Sequence, residues 1–326
     1  MAKVNYPKIC SDLLKILPVK QKEIINRRFA LENGKERETL QSIGENFGIT
    51  RERVRQIERD AILKLESEAK KYKEVFQNFR EYLKKSGDLK REDLLLKEFG
   101  KENYQAQVYF LFNLKEDFKR YGATNDFYPL WTINCDSLDE AKKIIVSNYQ
   151  ELKRIGKPVL FKQLVDANSS VGRNLSSFLE ISKKIQQNPE GLWGLLEWPE
   201  INPRGVKDKA YLVLKKEKKP LHFLEVASLI PKALSQTVHN ELIKDERFVL
   251  VGRGIYALKE WGYERGLVKD VIFKVLKTSE APLTKNEILE KVLKQRQVKE
   301  NTVFLNLSNR KYFLRNSEGE YTIREA

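Results

Sequence analysis

Residues 39–65, TLQSIGENFGITRERVRQIERDAILKL, constrain the fold more than any other stretch, because their apolar residues keep helical spacing on both sides of a glycine turn. Thr39 is placed to cap a short helix on which Leu40, Ile43 and Phe47 share one stripe, and Gly48 permits the left-handed residue at which such a helix often ends. Thr50 is a second N-cap. After it Val54, Ile57, Ala61 and Leu65 recur at steps of three and four and form a face to be buried. At 100° per residue Arg51, Glu52, Arg55, Gln56 and Arg59 leave the opposite side, with Arg53 on the flank. Two helices across a tight turn, the second offering arginines, an amide and a carboxylate, predict a helix-turn-helix.

That outward face suits the major groove of a DNA duplex. Arginine can donate two bonds to guanine, glutamate can accept from the cytosine amino group, and glutamine matches adenine. The string TRERVRQIE, preceded by TLQSIGENFGI and LPVKQKEIINRRFALENGKE, resembles region 4 of primary-type bacterial sigma factors, the module that reads the promoter minus-35 element. The resemblance implies base readout by Arg51, Glu52 and Gln56, with Arg53, Arg55 and Arg59 near the phosphates and Thr39 and Leu40 against the DNA backbone. It also implies docking on the β-subunit flap of RNA polymerase through the upstream helix, to which Ile24, Ile25 and Phe29 would belong. The chain departs from the family at Gln41 and Ser42, where acidic residues are usual, and at Leu63, Lys64 and Glu66, where the final turn is usually more basic.

The rest of the chain is too long to be an appendage of that module. Its 326 residues, 41% hydrophobic and 33% charged, predict several soluble globular domains. No apolar run approaches the ~20 residues of a spanning helix, and no secretory signal is evident, so a cytoplasmic, nucleoid-associated protein without a membrane partner is expected. Cys10 and Cys135 form no C-x-x-C pair and read as reduced thiols. The net charge of +15 points to a polyanion, and it sits at the two ends: +5 over residues 1–71, +1 over 72–134, +1 over 135–205, +4 over 206–265 and +4 over 266–326.

Those segments are the expected domains. Pro18 should open a helix that runs to Gly34, and the charged run after residue 65 should continue helically across a boundary near Lys71. Beyond it one pattern repeats: helix, short extended piece, two helices, then two β-rich runs closing on an aromatic. Pro158, Pro220 and Pro282 lie 62 residues apart, each followed six positions on by Leu164, Val226 or Ile288, and Asp88 with Leu94 gives an earlier copy. Units of this size can bury their own cores, so a string of independent winged helix-turn-helix modules is expected. The third, with KKPLHFLEVASLI and TVHNELIKDERFVLVGRGIYALKEWG, resembles the HARE-type winged helix found in the δ subunit of some bacterial RNA polymerases. The fold expected is therefore mainly α: a sigma region 4-like helix-turn-helix followed by four tandem winged-helix modules with small β-hairpin wings.

Accessory DNA contacts are expected from Arg253, at a hairpin tip between Gly252 and Gly254, and from Lys299, Asn301 and Arg310 around the third helix of the last module. The third helix of the preceding module, with His239, Asn240 and Glu241, is not basic. No phosphate-binding glycine loop occurs, and His222 and His239 lack metal-ligand spacing, so no catalysis, cofactor or metal is expected. Trp131, Trp193, Trp198 and Trp261 read as strand residues that pack the core. With about seventeen residues ahead of the sigma-like stretch, a complete sigma factor is not expected. Two functions remain: a transcription factor that reads a minus-35-like element and associates with RNA polymerase, or a δ-like polymerase accessory that competes with sigma on the flap without reading bases. A subunit of a DNA-modifying enzyme is a weaker third.

Overall fold

Capping decides where the first helices begin and stop. In the computed structural model, which describes residues 4–32, 35–167, 174–279 and 281–324, α1 (Tyr6–Leu14) starts where the Asn5 side chain accepts from the Lys8 amide, and α2 (Val19–Phe29) follows Pro18. α2 ends earlier than expected. Ala30 adopts a left-handed conformation (φ 54°) and closes the helix with a bond from its N–H to the Asn26 carbonyl; Gly34, the expected stop, lies outside the described residues. α3 (Leu40–Phe47) and α4 (Arg51–Ala69) start at Thr39 and Thr50, whose hydroxyls accept from the Ser42 and Arg53 amides at 3.1 and 3.2 Å. Gly48 turns the chain at φ 63°, and Gly44 lets α3 approach the turn, since a Cβ there would lie 2.6 Å from the Ile49 carbonyl oxygen.

The helical run across residue 71 is not one helix. α4 gives way to a 3₁₀ turn, Lys70–Tyr72, before α5 (Lys73–Lys85). The chain then goes through β1 (Leu89–Arg91), α6 (Glu92–Gly100), α7 (Gln105–Phe112), β2 (Lys119–Tyr121) and β3 (Leu130–Thr132). The same order returns in α8 (Cys135–Ile155), β4 (Val159–Leu160), α9 (Phe161–Ala167), α10 (Leu175–Glu180), β5 (Ile185–Gln187) and β6 (Leu192–Leu195). It returns again in α11 (Gly205–Glu217), β7 (Leu221–His222), α12 (Phe223–Ser228), α13 (Ser235–Lys244), β8 (Phe248–Gly252) and β9 (Ile255–Leu258). The last round has α14 (Val268–Lys277), α15 (Lys285–Leu293), α16 (Glu300–Leu307), β10 (Phe313–Arg315) and β11 (Tyr321–Ile323). The fold is mainly helical with small antiparallel sheets. Three sheets share one strand order, β1-β3-β2, β4-β6-β5 and β7-β9-β8; in the fourth a single bridge, Leu283 to Tyr321, stands where the first strand would be.

The repeat marks fall at equivalent points, with one correction. Leu164, Val226 and Ile288 are buried at the fourth position of α9, α12 and α15, whereas in α6 that position is Leu95. Leu94 is half-exposed, because β1 is one residue longer than β4 or β7 and shifts the register by one. The tryptophans also divide. Trp131 and Trp193 lie on strands and are buried, but Trp198 follows β6 in a turn and Trp261 sits in a 3₁₀ turn, both half-exposed.

The structure divides into two compact units, Met1–Glu197 and Trp198–Ala326. In the first, one core crosses residue 71: Leu13, Leu14, Phe29 and Ala61 belong to the same cluster as Phe79, Phe112 and Trp131. Phe29 meets Phe110 edge-on at 5.2 Å, and Phe79 stacks on Phe112 at 4.4 Å. α10 closes on β1, where the Glu180 carboxylate pairs with Lys90 and its carbonyl accepts from Arg91.

Candidate nucleic-acid interface

A small core fixes the aim of α4. Ile24, Ile43 and Val54, all fully buried, are flanked by Leu40, Phe47 and Ile57. With that face turned inward, Arg51, Glu52, Arg53, Arg55, Gln56 and Arg59 are all exposed. Thr39 is exposed, but its hydroxyl is occupied by the α3 cap, and Leu40 leans on the core. The arginine-rich face is therefore brought together as expected.

Its side chains are partly paired with one another. Arg55 donates two bonds to the Glu52 carboxylate, at 2.6 and 2.9 Å, and this holds the Glu52 carboxyl below the usual range, an ionised acceptor. Arg53 donates to the Gln56 side-chain oxygen at 3.1 Å. Among the described residues Arg51 and Arg59 have no ion pair. Arg51 and Arg59 are thus unengaged, while the Glu52 and Gln56 side chains each already have an intramolecular partner.

The residues expected to dock on a polymerase flap are elsewhere. Ile24 is in the small core, and Ile25 and Phe29 are buried under α7, where Phe29 touches Tyr109 and Phe110. The chain covers this face with its own next segment. Two further arginines went unnoticed in the sequence. Arg37, from the loop between α2 and α3, lies 3.7 Å from the centre of the Tyr109 ring, and Arg120 of β2 lies 5.6 Å from it. Arg120 also pairs with Glu92 and shares an open cleft with Arg55 and Arg59. Nothing local in the sequence signals this, because only the tertiary packing of α7 brings the two arginines together.

In the second unit Arg253, Lys299, Asn301 and Arg310 are all exposed. Arg253 occupies the β8–β9 turn, and Lys299 is the N-cap residue of α16. The histidines have structural partners: the His222 ring accepts from the Leu224 amide, and His239 stacks on Phe223 at 4.3 Å. No cluster of three or more potential metal ligands occurs among the described residues, and none of their helices is long and apolar enough to cross a membrane.

A helix whose buried side is locked by a preceding helix and whose outer side carries four arginines, a glutamate and a glutamine defines a helix-turn-helix of the kind that binds DNA. Residues 13–66 match the family described as sigma-70, region 4. Over 68 residues the chain is 40% identical to the RNA polymerase sigma factor SigA of a Bacillus species, an alignment that covers 20% of this chain and 18% of that protein. The chain thus spans less than a fifth of the length of that curated relative.

Proposed function

We propose that this chain is a non-enzymatic, DNA-binding transcription factor that reads a minus-35-like element through α4 and acts together with RNA polymerase on the nucleoid, in the cytoplasm. The observation that carries the reading is the exposed face of α4, with Arg51 unpaired beside Glu52 and Gln56 and with Thr50 capping the helix. Arg51 donates to a guanine, Glu52 accepts from a cytosine amino group and Gln56 pairs with an adenine. Arg53, Arg55 and Arg59, with Thr39 and Leu40, hold the backbone.

The four repeats that follow we read as winged-helix modules, the third of HARE type, each small sheet serving as the wing. Polymerase association is inferred from the likeness to sigma region 4. With Ile25 and Phe29 under α7, it has to use other residues than the resemblance assigns. The same burial weighs against the rival in which the module only competes with sigma on the flap.

Reporter transcription separates the two. Arg51→Ala and Gln56→Ala should abolish promoter-dependent regulation while leaving polymerase co-purification intact. Regulation that persists in both variants would favour the docking rival.

A further inference from the structure

The second unit joins two repeats at a point close in sequence to two basic residues, Arg253 and Lys299, that spacing treats as belonging to separate modules. Residues 295–297, just ahead of α16, grip the previous repeat. The Gln297 amide donates to the Val251 carbonyl of β8 at 2.7 Å, and the Gln295 side chain donates to the Gly262 carbonyl at 3.3 Å. Gly252 lies so close that a Cβ on it would stand 2.6 Å from the Gln297 carbonyl oxygen.

Between these contacts Arg296 is 3% exposed, and its guanidinium donates to the carbonyls of Gln295, Glu264 and Gly266 at 2.7, 2.7 and 3.1 Å. A buried cation is costly to desolvate, and three backbone carbonyls, two of them from the loop after the previous repeat, accept from this one, so the join is specific rather than a loose touch. Arg253 is the residue after Gly252, and Lys299 is two residues after Gln297. Both are exposed, and neither has an ion pair among the described residues.

We propose that Arg253 and Lys299 form one composite site for the phosphate backbone of double-stranded nucleic acid, built across two repeats and aligned by the Val251–Gln297 join. The β8–β9 tip supplies one cation and the approach to α16 the other, so the two repeats engage a duplex as a single body. This inference rests on the DNA-binding reading above and extends it to a region that the sigma-like module does not include. A duplex carries about one negative charge per 1.7 Å of axis, and each phosphate contact contributes roughly 0.9 to the slope of log affinity against log salt.

The experiment measures binding of the full chain to a mixed-sequence duplex over a range of salt. Arg253→Gln and Lys299→Gln should each lower the slope by about one, and the double variant by about two. Gly252→Ala keeps both cations, and its backbone stays in an ordinary conformation, but it pushes the tip off Gln297; it should also lower the slope, with β-sheet content retained. A parent slope in the double variant overturns the proposal. So does loss of polymerase co-purification at unchanged slope, which would make the patch a protein-docking surface. A parent slope in Gly252→Ala overturns the composite arrangement. A parent chain that binds no duplex overturns the DNA-binding reading as well, whereas binding with α4-dependent selectivity and no slope change overturns this inference alone.

Discussion

The third helix of each repeat and the helix α4 occupy comparable places after a helix and a turn, yet they face different surroundings. α4 keeps one whole side free. α7 does not: Gln107, Val108, Phe110, Leu111 and Phe112 are all buried, since one side packs its own repeat and the other covers α1 and α2. In α10, Leu175, Ser177, Phe178 and Leu179 are buried, and the helix closes on β1. The counterparts in the second unit stay open: Gln236, Thr237 and Asn240 on α13 are exposed, as are Asn301 and Leu305 on α16. One element order thus serves two purposes. In the first unit the third helices are spent on internal packing; in the second their outer sides stay exposed. The near-neutral charge of residues 72–205 and the basic balance of 206–326 follow the same division.

The largest effect expected from this difference concerns where the chain can be cut. A fragment ending at residue 71 loses the partners of Leu13, Phe29 and Ala61 and should not melt cooperatively, whereas 1–134 should, and 198–326 should melt as one body. Circular dichroism melts of the three fragments decide it; a cooperative transition in 1–71 equal to that of 1–134 would break the comparison.

Point substitutions sharpen it. Phe110→Ala in α7 should destabilise the first unit by about 3–5 kcal/mol, as large-to-small changes of a buried aromatic do. Leu305→Ala in α16, at a residue 73% exposed, should stay within about 0.5 kcal/mol. Denaturant titration measures both, and similar costs would mean that α7 is no more committed than α16.

Much of this was legible in the sequence. Helical spacing around Gly48, with Thr39 and Thr50 as caps, located the helix-turn-helix, because those signals are local. The order of elements in the repeats was visible for the same reason. The shared core was not. Nothing in the spacing of Phe110 or Tyr109 tells which helices from outside their own repeat will lie on them, and the absence of a glycine or proline near Lys71 suggested one helix where the chain makes a 3₁₀ turn. A fixed period points to Leu94 rather than Leu95, because one extra strand residue in β1 is invisible to it. Likewise Arg253 and Lys299 are recognisable singly, while the Gln297 to Val251 join between their repeats is not legible in the spacing.

A smaller, chemical effect probes the same core. Cys10 is buried, its thiol pushed up to about 12 by desolvation, whereas Cys135 is half-exposed. Near neutral pH a maleimide should label Cys135 in the native chain and reach Cys10 only when the first unit opens. Equal labelling rates without denaturant would show that α1 does not stay packed on α7.

Base readout by α4 is the central claim, and selection of bound sequences from a randomised duplex library tests it most directly. The parent should enrich one short element. Arg51→Ala and Gln56→Ala should each cost about 1–3 kcal/mol against that element and flatten the preference at one or two base pairs. Glu52→Ala should lose selectivity at a cytosine while its non-specific affinity holds or rises, since a carboxylate has left a phosphate-facing surface. Val54→Asp, which buries a charge in the small core, should lose binding through unfolding and so serves as the control. If folded Arg51, Glu52 and Gln56 variants enrich the same sequences as the parent, α4 does not read bases, and the account is wrong at its centre.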